Sequence, residues 1–238
     1  MNALEDEYYA NASRALNVGI TAKPPWRDSN NGFMLHGAIC RGFFQIPEIS
    51  GTTTEPMELV PFSEALSIRS GRKRYTVHFW EHDSRYERVW REPNRYLKFL
   101  QEFASVISPD FSTWENMPRG QRIGNISRNF ILGAWWQRNG VVVIPNIRVD
   151  DAYGAPYCLD GAPRNSIIAI STHGGVKGDR KIRTKEEIKI ICNSLDPSAL
   201  LVYGPDSNDI LEYPRRLQIP IIHRPSSHRD ISTRREFW

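Results

Sequence analysis

The sequence has few cysteines and lacks the motifs that mark the common metal and nucleotide sites. Its three cysteines, Cys40, Cys158 and Cys192, are widely spaced and form no CxxC pair, which argues against a disulfide framework and a zinc site. The motifs HExxH, GxSxG, GxGxxG and GxxxxGK are all absent. These absences argue against zinc peptidases, serine hydrolases, dinucleotide-binding proteins and P-loop nucleoside triphosphatases, and we expect no cofactor.

Long apolar runs are also absent, since none approaches the roughly 20 residues of a membrane-spanning helix. The first residues, MNALEDEYYANASRAL, are acidic and contain no apolar core of signal-peptide length. The odd number of separated cysteines suits a reducing compartment. We therefore expect a cytoplasmic protein with no membrane partner.

Charge is only mildly one-sided, because 31 Lys plus Arg stand against 27 Asp plus Glu, for a net charge of +4. The 40% of hydrophobic and 24% of charged residues are those of an ordinary globular protein. A chain of 238 residues suits one large domain of sheet and helices. The basic balance is compatible with a nucleic-acid partner but does not require one.

Apolar segments that alternate with helical patterns predict the fold class. Six segments are predicted to be strands: YTVHFW (75–80), ASVIS (104–108), VVVIPN (141–146), SIIAIS (166–171), ALLVYG (199–204) and IPIIH (219–223). Helices are predicted from Ser84 to Phe103 with a break near Pro93, and within MPRGQRIGNISRNFILGAWWQRNG, TKEEIKIICNSL and SNDILEYPRRLQ, the last of which Pro214 must bend or shorten. This alternation favours an α/β fold, an open, mainly parallel sheet of about five or six strands flanked by helices.

The first 60 residues keep no regular period, because short apolar runs alternate with Pro, Gly, Asn and Thr. We predict an irregular N-terminal arm over 1–60 that packs on the core. The alternative is a solvated tail, but a tail of that kind rarely contains as many large apolar side chains as Trp26, Phe33, Phe43 and Phe44. Residues 61–238 are then a single α/β domain. Its end, RDISTRREFW, is a candidate for a mobile tail.

Polar and glycine residues follow the predicted strands, at the edge where a parallel sheet places its functional groups. Asp110 with Phe111 and Trp114 follows ASVIS, Asn146 and Arg148 end VVVIPN, and STHGG (171–175) follows SIIAI. The segment HRPSSHRD (223–230) follows the last strand. The candidate site residues at or after the ends of SIIAIS and IPIIH are Ser171, His173, His223, Arg224, Ser226, Ser227 and His228.

Each candidate has a structural alternative. Asp110 is either a turn or helix cap or a carboxylate beside a reacting centre, and Asn146 either satisfies loop backbone or reads a base edge with its two-sided amide. The turn STHGG resembles an anion-binding turn, and HRPSSHRD is either a solvated loop or a clamp on a DNA backbone. A metal-dependent nuclease built from Asp110, Asp150 and Asp151 is a further alternative.

The motifs SPDFS, MP-x-x-Q, QRNG, IPN-x-R and STHG, between residues 55 and 223, resemble those of a family of bacterial and phage proteins catalogued as a domain of unknown function. That resemblance implies no chemistry. The order of parts is also similar to the uracil-DNA glycosylase superfamily. This second resemblance implies that Asp110 activates water, Phe111 stacks on a flipped base, Asn146 reads that base, and His223 with Ser226 and Ser227 pinches the DNA backbone.

The sequence therefore predicts a metal-independent DNA glycosylase that excises a modified base. One biological role for such an enzyme is antiviral defence, in which it acts on phage DNA. In this prediction Asp110 and His173 are catalytic, and Phe111, Trp114 and Asn146 bind the base. The DNA-binding set is Arg148, Ser171, His223, Arg224, Ser226, Ser227 and His228. The alternatives are a non-catalytic DNA-binding module and a hydrolase of small nucleotides or sugar phosphates. The sequence does not assign an oligomeric state.

Overall fold

The structure is a computed structural model that describes residues 18–21, 28–114, 116–149 and 154–226. The strands within these ranges are β1 Val18–Gly19, β2 Ile39–Arg41, β3 Ile46–Pro47, β4 Glu58–Pro61, β5 Tyr75–His78, β6 Ser105–Ile107, β7 Val143–Ile144, β8 Ile167–Ser171, β9 Ala199–Tyr203 and β10 Ile221–Arg224. The α-helices are α1 Phe62–Ala65, α2 Asp83–Tyr86, α3 Arg88–Arg91, α4 Pro93–Leu100, α5 Arg119–Arg138, α6 Ala155–Leu159, α7 Gly178–Leu195 and α8 Glu212–Arg216.

Strands β4 to β10 form parallel pairs in the order in which they occur along the chain. Strands β4, β5, β6 and β7 make one parallel sheet, and β8, β9 and β10 make another. A parallel bridge between Asn146 and Ala169 joins β7 to β8, so that the two sheets continue into each other. Every crossover between consecutive strands contains a helix. The prediction of a parallel α/β sheet flanked by helices is confirmed, with β4 as a strand that the sequence did not predict.

The sheet is strongly curved. One face carries a cluster of side chains that come from the strands or, for Trp80, from two residues after β5: Leu59, Trp80, Ile107, Ile144, Ile167, Ala169, Ala199, Leu201, Tyr203 and Ile222. Strands β5 and β9 are four positions apart, roughly 19 Å in a flat sheet. The rings of Trp80 and Tyr203 nevertheless stack with their centroids 4.7 Å apart. The sheet therefore curls into an incomplete barrel, and the carboxyl ends of its strands meet at one mouth.

The helices cover the outer face of the sheet. The longest, α5, buries every residue from Asn129 to Trp136, so the middle of this helix is enclosed on all sides and not along one apolar stripe. Pro93 is the first residue of α4, so the predicted helix from Ser84 is divided into three short helices. Pro214 lies within α8, which has only five residues, in agreement with the prediction that this proline bends or shortens the helix. No helix in the described part of the chain is both long and apolar enough to cross a bilayer.

The described residues of the N-terminal arm contain a small antiparallel sheet, β1-β2-β3, beside the helical layer. The main-chain N–H of Ile49 donates to the carbonyl oxygen of Gly161 at 2.9 Å, and the Ile49 side chain is fully buried. Asp160, at the end of α6, packs its carboxylate against Gly42 in the turn after β2. Trp26 lies outside the described residues, as does the C-terminal segment RDISTRREFW.

The carboxylate of Asp160 is expected to destabilise the protein at neutral pH. One of its oxygens is buried without a hydrogen-bond partner in the described residues, and burial raises the pKa of Asp160 from 3.8 to about 6. An acid whose pKa is higher in the folded state takes up a proton on folding, so stability falls as the pH rises from 4 through 6. Asp160→Asn should therefore add about 2 kcal/mol to the free energy of unfolding at pH 8, after discounting for partial exposure.

Urea unfolding at pH 4 and pH 8 measures this effect. At pH 4, where Asp160 is mostly protonated, the variant and the wild type should be nearly equal in stability. The exposed Glu55→Gln is the control and should leave the pH dependence unchanged. A gain for Asp160→Asn that is equally large at pH 4 would show that protonation of Asp160 is not the cause.

Candidate active site

Asp110 lies at the mouth of the curved sheet, three residues after β6 ends at Ile107. Its side chain is 15% exposed. Its Oδ1 accepts a hydrogen bond from Asn146 Nδ2 at 3.1 Å and lies 3.5 Å from Nε of Arg148. The structure therefore brings together the three residues that the sequence placed at the ends of two adjacent strands.

Asn146 is fully buried, and its polar atoms are engaged on both sides. Its Oδ1 accepts a hydrogen bond from Trp80 Nε1 at 3.2 Å, and its main-chain N–H donates to Ser108 Oγ at 2.8 Å. Nδ2 also lies 3.5 Å from the carbonyl oxygen of Pro109, at the limit of hydrogen bonding. In this structure the amide thus orients the Asp110 carboxylate, and its base-reading role stays a prediction.

Two further side chains support the Asp110 loop. The hydroxyl of Tyr86 lies 2.7 Å from the main-chain oxygen of Asp110 and 3.0 Å from Oδ1 of Asp83. The Asp83 carboxylate also accepts hydrogen bonds from the main-chain N–H and the hydroxyl of Ser112. Burial, followed by the charges of Asp83 and Asp110, raises the pKa of the Tyr86 phenol well above its usual value, so Tyr86 stays a neutral donor.

The charge of Asp110 is balanced locally. The Asp110 carboxylate is the largest of the influences that raise the pKa of Arg148, and burial acts against it. The Arg148 side chain is 35% exposed, so this ion pair remains in contact with solvent. The pair holds a carboxylate at the mouth without leaving an uncompensated buried charge.

A narrow pocket lies beside the Asp110 carboxylate, between the end of the sheet and α5. Its cavity volume is about 10 Å³, the space of one water molecule. Asn129 lines it and donates from Nδ2 to the main-chain oxygen of Asn146, while its Oδ1 is buried with no hydrogen-bond partner among the described residues. The remaining lining residues are Pro109, Phe111, Thr113, Asn125, Ile126, Phe130 and Arg148. A pocket lined by a carboxylate and by a residue with an unsatisfied acceptor is suited to a bound water or another small donor.

The two predicted aromatic residues have different surroundings. Phe111 is 4% exposed, packs against Tyr86 at 5.3 Å between centroids, and lies under the guanidinium of Arg128 at 3.9 Å. Trp114 is 57% exposed. Phe111 therefore forms a wall of the pocket, and Trp114 is the aromatic surface that faces solvent.

Those of the other predicted site residues that the structure describes lie along the mouth, at or after the ends of β8 and β10. Ser171 ends β8, and its hydroxyl accepts a hydrogen bond from the main-chain N–H of His173 at 3.2 Å. Nε2 of His223 is 2.7 Å from the carbonyl oxygen of Gly204, and Arg224 ends β10. His173 follows β8 and Asp110 follows β6, so β7 separates the two predicted catalytic residues. Ser226 is the last described residue, and Ser227, His228, Asp150 and Asp151 lie outside the described ranges.

The sequence did not single out Trp80, Tyr86, Asp83 or Asn129 as site residues. Trp80 was part of a predicted strand, and Asn129 was within a predicted helix. Their roles depend on contacts between distant parts of the chain, such as the hydrogen bond of Trp80 to Asn146. The one local signal was the position of Trp80 at a strand end, where the other candidates were also found.

Comparison with known proteins places the chain among phage relatives. It is 30% identical over 185 residues to the "Gene 1 protein" of Mycobacterium phage D29, covering 72% of this chain and 67% of that protein. It is 29% identical over 184 residues to the "Gene 1 protein" of Mycobacterium phage L5, covering 72% of this chain and 79% of that protein. No solved structure matches.

The predicted likeness to the uracil-DNA glycosylases remains a prediction, since these relatives do not test it. The predicted likeness to a domain of unknown function is confirmed, because a family model matches residues 38–218. The chain belongs to the family described as "Domain of unknown function (DUF4417)".

Proposed function

We propose that the protein hydrolyses the N-glycosidic bond of a nucleotide in DNA and releases the base, with Asp110 as the catalytic carboxylate. The observation that carries this proposal is the set of contacts that holds Asp110 at the mouth. Asn146 and Arg148 contact its carboxylate, and the pocket beside it is lined by Asn129, whose Oδ1 has no hydrogen-bond partner among the described residues. Such a carboxylate is preorganised for a reaction in which positive charge develops.

The chemistry requires one water molecule and a carboxylate. As the bond between the base nitrogen and C1′ breaks, the base takes the electron pair and the sugar gains oxocarbenium character. A water molecule in the pocket would donate hydrogen bonds to Asp110 and to Oδ1 of Asn129, so that its oxygen lone pair is free to attack C1′. The oxygen bonds to C1′ as a hydroxyl, and the proton it loses passes by way of the carboxylate to the departing base.

The base must leave the helical stack before its glycosidic bond can reach Asp110. The exposed ring of Trp114, four residues after Asp110, supplies a surface on which an extruded base can stack. Asn146 is fully buried, and its amide contacts Trp80 and Asp110, so in this structure it would act on a base only through the carboxylate that it orients. The exposure of Trp114 supports its predicted role in binding the base.

The test is incubation of the full chain with a panel of ordinary and modified DNAs, including glucosylated phage DNA, in the presence of EDTA. We expect released bases and abasic sites on at least one substrate. Glu102→Gln is a matched carboxylate control, because Glu102 forms an exposed ion pair with Arg72 at the opposite end of the sheet. Binding of DNA without any base release would favour the non-catalytic DNA-binding module instead. The relatives found are phage proteins, so they give no support to an antiviral setting.

A small-nucleotide or sugar-phosphate hydrolase is the second candidate. The curved sheet favours it, because a single mouth at the carboxyl ends of sequential parallel strands is typical of enzymes that act on small molecules. Salt dependence separates the two candidates. A protein that binds DNA along its backbone loses affinity steeply as the salt concentration rises, whereas binding of one mononucleotide changes little.

A further inference from the structure

We infer that the carboxyl ends of β8, β9 and β10 form a binding site for a single phosphate group. The guanidinium of Arg224, the hydroxyl of Ser171 and the main-chain N–H of Gly174 are its donors. This inference extends the proposed function and rests on it only for DNA as the source of the phosphate.

The strand register places the two side chains in one row. Ser171 is the partner of Tyr203 across β8 and β9, and Tyr203 is the partner of Arg224 across β9 and β10. Two residues earlier on each strand, Ala169, Leu201 and Ile222 belong to the cluster on the inner face. Side chains alternate along a strand, so Ser171, Tyr203 and Arg224 occupy the next inner row, at the mouth.

Arg224 is partly buried and has no carboxylate within salt-bridge distance in the described part of the chain. Its NH1 donates only to the carbonyl oxygen of His223, at 3.0 Å. Asp206, which follows β9 along the chain, is paired with Arg215, and Asp110 is paired with Arg148. A planar guanidinium without an acid partner retains several donors in the geometry that a phosphate accepts.

The turn after β8 supplies a fixed main-chain donor. Gly174 has a φ of +74°, and its N–H has no acceptor among the described residues. The turn is anchored on both sides, because Gly175 N–H donates to the carbonyl oxygen of Thr172 at 3.1 Å and the Thr172 hydroxyl donates to that of Pro205 at 2.9 Å. Gly204 permits this packing, since a Cβ there would lie 2.8 Å from the main-chain nitrogen of His173.

The row lies next to the Asp110 site. Trp80 donates to Asn146 on one side of the mouth, and its ring stacks on Tyr203 of the row on the other side. The stacked rings of Trp80 and Tyr203 would therefore lie between a phosphate bound at Arg224 and the carboxylate of Asp110. This is the arrangement needed to hold a nucleotide by its phosphate while its sugar faces Asp110.

Calorimetric titration of the full chain with inorganic phosphate tests the site without any assay of activity. Arg224→Gln should weaken phosphate binding by about tenfold or more, and Ser171→Ala by a smaller factor. Arg216→Gln is the matched control, because Arg216 loses the same charge but is exposed, packs over Tyr213, and precedes β10 at the other end of the sheet. It should leave phosphate affinity within about twofold of the wild type.

Failure of phosphate to bind the wild type, or equal weakening by Arg224→Gln and Arg216→Gln, would overturn the inference. Phosphate binding that depends on Arg224 upholds it even if no DNA ever releases a base, an outcome in which the proposed function alone fails. The same titrations with a mononucleotide and a single-stranded oligonucleotide at two salt concentrations identify the source of the phosphate. Affinity for the oligonucleotide that falls steeply with salt and depends on Arg224 assigns the site to a nucleic-acid backbone.

Discussion

Replacing Asp110 by Asn is expected to lower the rate of base release by about 10²- to 10⁴-fold while DNA affinity is kept or slightly increased. Asn has the same shape, and its side-chain oxygen can still accept the hydrogen bond that Asn146 now donates at 3.1 Å. It carries no negative charge, so it neither stabilises positive charge on the sugar nor accepts a proton from water. Single-turnover assays on the active substrate measure the rate, and filter binding measures the affinity.

Two controls keep this result interpretable. Glu102→Gln removes a carboxylate from the ion pair with Arg72 and should leave the rate unchanged. Thermal unfolding of Asp110→Asn should show a folded protein, because Arg148 remains partly exposed after it loses its partner. If Asp110→Asn turns over at the wild-type rate, Asp110 is not the catalytic carboxylate.

Replacing Gly161 by Ala is expected to destabilise the protein by about 2–4 kcal/mol, a fall in Tm of roughly 5–10 °C. A Cβ at this position would overlap the carbonyl oxygen of Pro47 in β3 and lie 2.9 Å from side-chain carbons of Ile46 and Phe130. The main-chain oxygen cannot move without breaking the contact between the arm and the helical layer. Urea unfolding followed by circular dichroism measures the loss.

Gly124→Ala is the matched substitution for this test. Gly124 lies within α5, and a Cβ there meets nothing within 4 Å. The change should stabilise the protein by about 0.5–1 kcal/mol, because Ala restricts the unfolded chain more than Gly does. Unchanged stability of Gly161→Ala beside a stabilised Gly124→Ala would show that the arm does not pack on Gly161 in solution.

The sequence predicted the parts of the fold that depend on local patterns. VVVIPN and SIIAIS contain strands β7 and β8, because runs of β-branched residues are typical of buried parallel strands. Strand β4 escaped prediction, since Glu58–Pro61 is short and ends in a proline. The curvature of the sheet was not predictable in this way, because it depends on contacts such as the stacking of Trp80 on Tyr203.

The candidate site was predictable to a similar extent. The rule that functional groups follow parallel strands located Asp110, Asn146 and Arg148, and the structure shows them in contact. The partners of Asn146 were not predictable, because Trp80 and Asn129 come from a different strand end and from a helix. The saturation of the Asn146 amide is therefore a property of the folded chain that its own segment does not reveal.

The sequential order of strands β4 to β10 has a consequence for how the chain folds. Each strand pairs with the next one along the chain, so the sheet can grow by adding one strand and one helix at a time, with short loops to close. The hydrogen bond between Asp110 and Asn146 can form early, within the growing sheet. The stacking of Trp80 on Tyr203 joins residues far apart in the chain, and must wait until β9 has been added. The curling of the sheet that brings Trp80 onto Tyr203 is then a late folding event. Pulse-labelled hydrogen exchange should show protection of β5 and β6 before that of β9 and β10.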